Sequence, residues 1–173
     1  MTDNGAVPEL SKEVELSSLG AGGKLFPLQA DDEACARIAK RLGIPRVKSL
    51  AGEIRLSATK KDIKATGVVR AELVRECVAS LEEMDEAVDE AFELEFLREE
   101  DPEQLQDGRE EWELPEVHEG EIFDVGELLV QQLSLAMDPF PRKEGARSLA
   151  EDYGVEAESS PFAVLKSESK KSE

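Results

Sequence analysis

Polar and apolar residues alternate with period two from Glu53 to Thr59, pause at Lys60, Lys61 and Asp62, and alternate again as far as Leu81. In the second run Ile63, Ala65, Gly67, Val69, Ala71, Leu73, Cys77, Ala79 and Leu81 share one parity, which Arg75 alone interrupts. Lys64, Thr66, Arg70, Glu72, Glu76 and Ser80 hold the other. Successive side chains of a strand point to opposite faces, so the pattern predicts a β-hairpin with one dry face and one wet face. A dry face needs a cover, and two helical patterns supply it. Ala34, Cys35, Ile38, Ala39 and Leu42 recur at helical spacing between a cap at Asp31 or Asp32 and a stop at Gly43. Val125, Leu128, Leu129, Leu133 and Ala136 form the stripe of a second helix over residues 123–137, widened by Val130, Leu135 and Met137. Asp124 is its expected cap, with Glu127 at capping-box spacing, and Asp138-Pro139-Phe140-Pro141 ends it.

Shorter patterns extend the sheet. Glu13-Val14-Glu15-Leu16 alternates as a short strand, and Leu25-Phe26-Pro27-Leu28 reads as a strand that Pro27 confines to an edge. After a connection over residues 82–86, Val88, Phe92, Leu94 and Phe96 alternate against Glu93 and Glu95, which predicts an antiparallel strand over residues 87–97. Residues 98–121 have no period and carry Pro102, Gly108, Pro115 and Gly120 among acids, so a loop is expected there, pinned by Trp112, Leu114 and Val117. The expected fold is α+β: an antiparallel meander sheet of three to five strands covered by two helices. It forms one domain over residues 1–144, with residues 98–121 inserted as a long acidic loop. Residues 145–173 are expected to be a flexible polar tail with one apolar docking segment, Pro161-Phe162-Ala163-Val164-Leu165.

The 173 residues carry a formal net charge of −19, and most of it is local. Residues 1–81 hold 13 basic and 11 acidic side chains, residues 82–121 hold 2 and 19, and residues 122–173 hold 6 and 10. A nearly balanced body thus carries one acidic block. Such a block repels a polyanion within a Debye length of about 8 Å, and it attracts a basic protein and speeds the encounter. No run of about 18 apolar residues is present to span a membrane. The N-terminus lacks a secretory pattern, and Cys35 and Cys77 build neither a disulfide framework nor a metal motif. A cytoplasmic, reducing compartment is expected.

Catalytic chemistry finds little footing, and neither cofactor nor metal is expected. His118 lies in the acidic loop, where neighbouring carboxylates favour a solvated cation over a general base. No serine stands in a nucleophile elbow. Gly20 to Gly23 is a flexible break without the spacing and lysine of a phosphate loop, and the carboxylates follow no EF-hand order. Cys35 belongs to a helix stripe as a small buried hydrophobe. The chain is expected not to be an enzyme; a metal-assisted acidic enzyme is an alternative that requires two or three carboxylates converging in a pocket. Ten basic residues, from Lys40 to Arg75, cluster in the first half. Among them Lys60, Lys61 and Lys64 are candidates for RNA phosphate contact. An ordinary mixed-charge surface is the preferred alternative, because no aromatic residues are interleaved for base stacking.

Three segments, in this order, resemble bacterial YceD-type proteins, the large ribosomal RNA subunit accumulation proteins. The first is the strand Gly67-Val68-Val69-Arg70-Ala71-Glu72-Leu73-Val74-Arg75-Glu76-Cys77-Val78-Ala79-Ser80-Leu81-Glu82. The second is Phe123-Asp124-Val125-Gly126-Glu127-Leu128-Leu129-Val130-Gln131-Gln132-Leu133 with its exit Asp138-Pro139-Phe140-Pro141-Arg142. The third is Ser160-Pro161-Phe162-Ala163-Val164-Leu165-Lys166. Family members often carry Cys-x-x-Cys at the strand end; here the second position is Ser80, so no metal or redox role is carried over. The resemblance implies a non-enzymatic factor in large ribosomal subunit biogenesis that supports accumulation of large-subunit ribosomal RNA. Its implied partner is a basic ribosomal protein or a pre-large-subunit particle, since family genes commonly neighbour one for a small large-subunit ribosomal protein. The segment from about Glu82 to Glu121 is then expected to hold or steer that protein, with Glu99, Glu100, Asp101, Glu110, Glu111 and Trp112 as contacts. Pro161, Phe162, Val164 and Leu165 are the expected contacts of the tail. The alternatives are direct RNA binding through the basic first half and an adaptor acting through the C-terminal segment. Neither a membrane nor a small-molecule substrate is expected.

Overall fold

The computed structural model describes residues 9–20, 22–98 and 116–147. In chain order the elements are β1 (Glu13–Glu15), a 3₁₀ turn (Leu16–Ser18), β2 (Lys24–Gln29), α1 (Asp32–Leu42), β3 (Arg46–Ala58), β4 (Asp62–Glu76), β5 (Glu83–Leu97), β6 (Glu116–Val117), β7 (Ile122–Asp124) and α2 (Val125–Ala136). The fold is α+β, with a five-stranded sheet in the order β2-β3-β4-β5-β6 and a two-stranded sheet of β1 and β7. β2 lies at the sheet edge with Pro27 in it, as the missing amide N–H of proline demands. β6 is the one parallel addition among the described residues, pairing with the end of β5.

The hairpin turns at Thr59, whose Oγ1 accepts from the Asp62 amide at 3.0 Å. Its facing pairs Leu56 with Ala65, Gly52 with Val69, and Leu50 with Ala71 fall on the dry side. Between Val47 and Ser49 the register skips Lys48. This bulge lets odd-numbered Val47 share a face with even-numbered Leu50, and both are buried. Leu50, Ile54, Leu56, Ile63 and Leu73 of the hairpin join Ile38 of α1 and Leu129 and Leu133 of α2 in one core, each at most 1% exposed. Gly52 sits directly beneath α2. A Cβ there would stand 2.5 Å from Leu129 Cδ1 and 2.6 Å from the Val68 carbonyl oxygen.

Local chemistry sets the helix ends. Asp31 is the cap of α1: its Oδ1 accepts from the Ala34 amide at 2.7 Å. Gly43 ends the helix at φ +65°, where a side chain is disfavoured, and the Ile44 amide reaches back to the Ala39 carbonyl at 3.1 Å. Asp124 Oδ1 caps α2 by accepting from Gly126 and Glu127 at 2.8 and 3.1 Å. The other half of a capping box is absent, because the Glu127 carboxylate turns to Arg41 instead. Leu135 departs from the predicted stripe and is 77% exposed.

Three expected boundaries move. Strand alternation does not run to Leu81: β4 stops at Glu76, and the Leu81 amide closes a turn on the Cys77 carbonyl at 2.9 Å. Cys77 and Ala79 are buried in that turn, so they mimic the dry parity of a strand. β5 begins at Glu83 rather than at residue 87, and Phe123 belongs to β7 rather than to the helix. β6 and β7, with 2 and 3 residues, are too short to display a period.

Among the described residues, chain contacts divide the molecule into two compact units, one within residues 9–75 and 85–139 and the other within residues 76–84 and 140–147. In the smaller unit the Val78 amide donates to the Pro141 carbonyl at 2.9 Å, and Lys143 Nζ pairs with Glu82 at the same distance.

Candidate interaction surfaces

The acidic block is not one loop. Its first part is β5, whose acids meet the cations of the hairpin's wet face. Lys48 Nζ lies 2.6 Å from Asp85, Arg70 Nε 3.2 Å from Asp89, and Lys64 Nζ 3.3 Å from Glu95. Each pair is exposed and contributes at most about 1 kcal/mol, and together they neutralise three of the first half's cations. Arg98 and Glu121 form a further pair. Glu83, Glu90, Glu93, Glu116 and Glu119 are exposed and make no ion pair among the described residues. Of the three lysines expected to contact RNA, Lys60 and Lys61 stand exposed in the β3–β4 turn, and Lys64 pairs with Glu95. Glu99, Glu100, Asp101, Glu110, Glu111, Trp112, Pro161, Phe162, Val164 and Leu165 lie outside the described residues.

His118 is only half-exposed and packs against its neighbours. Its ring centroid lies 4.9 Å from that of Phe123, and its Nε2 is 3.0 Å from the Ile122 carbonyl oxygen. The short β6 brings it there: the His118 amide continues the pairing with β5 by donating to Leu97 O at 2.7 Å.

Arg75, the one charge on the hairpin's dry parity, is the centre of a closed hydrogen-bonded ring. Its Nη1 donates to Glu86 at 2.7 Å and its Nη2 to the Asp138 carbonyl at 3.0 Å, while the Asp138 amide returns to Glu86 Oε1 at 2.8 Å. The two side chains are only 11% and 12% exposed. The parity break was the sequence signal for this site; its partners were not visible.

A second network gathers at the start of α2. Arg41 of α1 donates twice to Glu127, at 2.7 and 2.6 Å, and once to Glu9 at 3.0 Å. Asp124 accepts from the Ser11 hydroxyl at 2.6 Å and from the Lys12 amide at 2.9 Å. The Arg41 hydrogen bonds hold the Glu127 carboxyl below its ordinary range. Burial pushes Asp124 up, but the Ser11 hydroxyl and the Lys12, Glu127 and Gly126 amides outweigh it and leave the group lowered. Both folded pKa values lie below the unfolded ones, so the stability these groups contribute is complete above about pH 5 and is lost as pH falls through the folded values. Glu127→Gln is therefore expected to unfold below the native thermal midpoint at pH 6 and to approach it at pH 3. A gap between the two midpoints that widens on acidification contradicts this.

In the smaller unit Cys77 is buried, and its sulfur accepts from the Lys143 and Ser80 amides at 3.3 and 3.5 Å. Hydrogen bonding from Ser80 and Lys143 lowers the thiol to about 6. Ser80 occupies the position of the second cysteine of the motif, and it approaches the sulfur through its backbone. Cys35 is buried in α1, and burial raises its thiol. Among the described residues no three His, Cys, Asp or Glu side chains converge as a metal-binding set, and no helix is long and apolar enough to cross a membrane.

Comparison with known proteins agrees with the resemblance to the YceD family. The family model described as large ribosomal RNA subunit accumulation protein YceD matches residues 65–172. No curated protein and no solved structure matches the chain. The matched stretch begins inside the central hairpin, takes in β5, the acidic segment and α2, and covers well over half of the sequence, so the chain belongs to the YceD family.

Proposed function

We propose that this protein is a non-enzymatic factor in large ribosomal subunit biogenesis. It supports accumulation of large-subunit ribosomal RNA by holding a basic ribosomal protein, free or within a pre-large-subunit particle, on its acidic segment. The observation that carries this reading is charge that the body leaves unneutralised. The hairpin cations take up Asp85, Asp89 and Glu95. Glu83, Glu90, Glu93, Glu116 and Glu119 stay exposed and unpaired among the described residues. Residues 99–115 add eight acids against one arginine. A lysine- and arginine-rich partner relieves that repulsion and is drawn in by it, whereas a bare polyanion is turned away.

The test is recovery of partners from cell lysate by the intact chain and by a variant with Glu99, Glu100, Glu110 and Glu111 changed to Gln and Asp101 to Asn. Recovery of basic large-subunit proteins is expected to fall several-fold in the variant, and the difference between the two chains is expected to shrink as salt is raised. Equal recovery from both chains refutes the proposal.

A further inference from the structure

β2 stops short of the beginning of β3. Their last facing pair is Gln29 with Ala51, and the Ala30 amide donates to the Leu50 carbonyl at 2.9 Å just beyond it. β3 continues back to Arg46. Over residues 46–49 it pairs with β4 alone among the described residues, so its other edge is open there. Arg46, Val47 and Lys48 of that stretch line a groove of about 650 Å³ whose opposite wall is α1. The remaining apolar lining comes from Cys35, Ala36, Ala39, Ile44 and Pro45. Lys40 adds a third cation from the helix. Lys48 is taken by Asp85, but Lys40 and Arg46 are exposed and make no ion pair among the described residues.

An open strand edge accepts an added strand through main-chain hydrogen bonds, and the pockets beside it select alternate side chains. An aliphatic floor with a cationic rim selects aliphatic residues on one parity and carboxylates on the other. Nucleic acid fits less well: no aromatic side chain lines the groove to stack a base. A peptide backbone, by contrast, brings both donors and acceptors.

We propose that the groove between α1 and the open edge of β3 docks an extended peptide of alternating acidic and aliphatic residues as an added strand beside residues 46–49. This surface has the opposite charge from the acidic segment, so the proposal stands or falls independently of the function proposed above.

The experiment titrates the isotope-labelled full chain with a capped peptide of alternating glutamate and valine and follows backbone amide resonances. Saturable shifts are expected at Lys40, Ile44, Arg46 and Val47. Lys40→Glu combined with Arg46→Glu, both exposed and chosen to leave the thermal midpoint unchanged, is expected to weaken binding about tenfold. N-methylation of alternate peptide amides keeps charge and side chains but removes the ladder donors, and it is expected to weaken binding by a similar factor. The proposal is overturned by shifts that are absent or map elsewhere, by affinity indifferent to the charge reversal, or by equal binding of the N-methylated peptide. It is also overturned if an oligouridylate of equal charge moves the same resonances at lower concentration.

Discussion

Gly52→Val is expected to destabilise the protein by about 3 kcal/mol, the upper part of the usual range for overpacking a closed core. The position has no room. Even a Cβ meets Leu129 Cδ1 at 2.5 Å and the Val68 carbonyl at 2.6 Å, and the second of these is backbone of a paired strand. A valine adds two methyl groups to that contact, so α2 must lift from the sheet or the β3–β4 register must open. A thermal midpoint roughly 10 °C lower follows for a domain of this size. Gly52→Ala is expected to lose less. Combining it with Leu129→Ala removes the side-chain clash but not the Val68 one, so that double variant does not regain native stability. Circular dichroism melts of the three variants are the check; a Gly52→Val midpoint within a degree of the native one means α2 does not sit where the structure places it.

Arg75→Met is expected to cost about 3 kcal/mol, because it strands a nearly buried carboxylate rather than because it deletes an attraction. Glu86 is 12% exposed, and among the described residues it keeps only the Asp138 amide as partner after the substitution. The Asp138 carbonyl loses the Arg75 donor as well. Arg75→Met with Glu86→Leu removes both charges and is expected to recover most of the loss, since a hydrophobic pair of similar volume often matches a buried ion pair. Chemical denaturation of the two single variants and the double variant supplies the coupling energy. Additive losses contradict a shared ring of hydrogen bonds.

These two sites mark different depths of legibility. Gly52 lies one residue before the stretch whose alternation announces a strand, but nothing in the neighbouring sequence says that a helix 77 positions later rests on it. Arg75 is visible as an anomaly, a charge on an apolar parity, without any indication of what answers it. The same holds for surface charge. The acids of β5 read as an excess, yet Asp85, Asp89 and Glu95 meet Lys48, Arg70 and Lys64 once the strands lie side by side. Arg41 and Glu127, 86 positions apart, give no sign of each other in the sequence.

What the sequence determines alone is what local stereochemistry controls. Period-two alternation declares the hairpin, the Asp31-Asp32 pair and Asp124 declare where helices begin, Gly43 declares where one ends, and Pro27 assigns its strand to an edge. Each of these depends on a few consecutive residues, because side-chain direction and capping are settled within a turn or a strand pair. Tertiary structure alone decides the bulge at Lys48, the two- and three-residue strands β6 and β7, the partners of Arg75 and Arg41, and the edge of β3 left open beside α1. Those features exist only when distant segments share a register, and the free energy that selects a register is summed over the whole core rather than written at any one position.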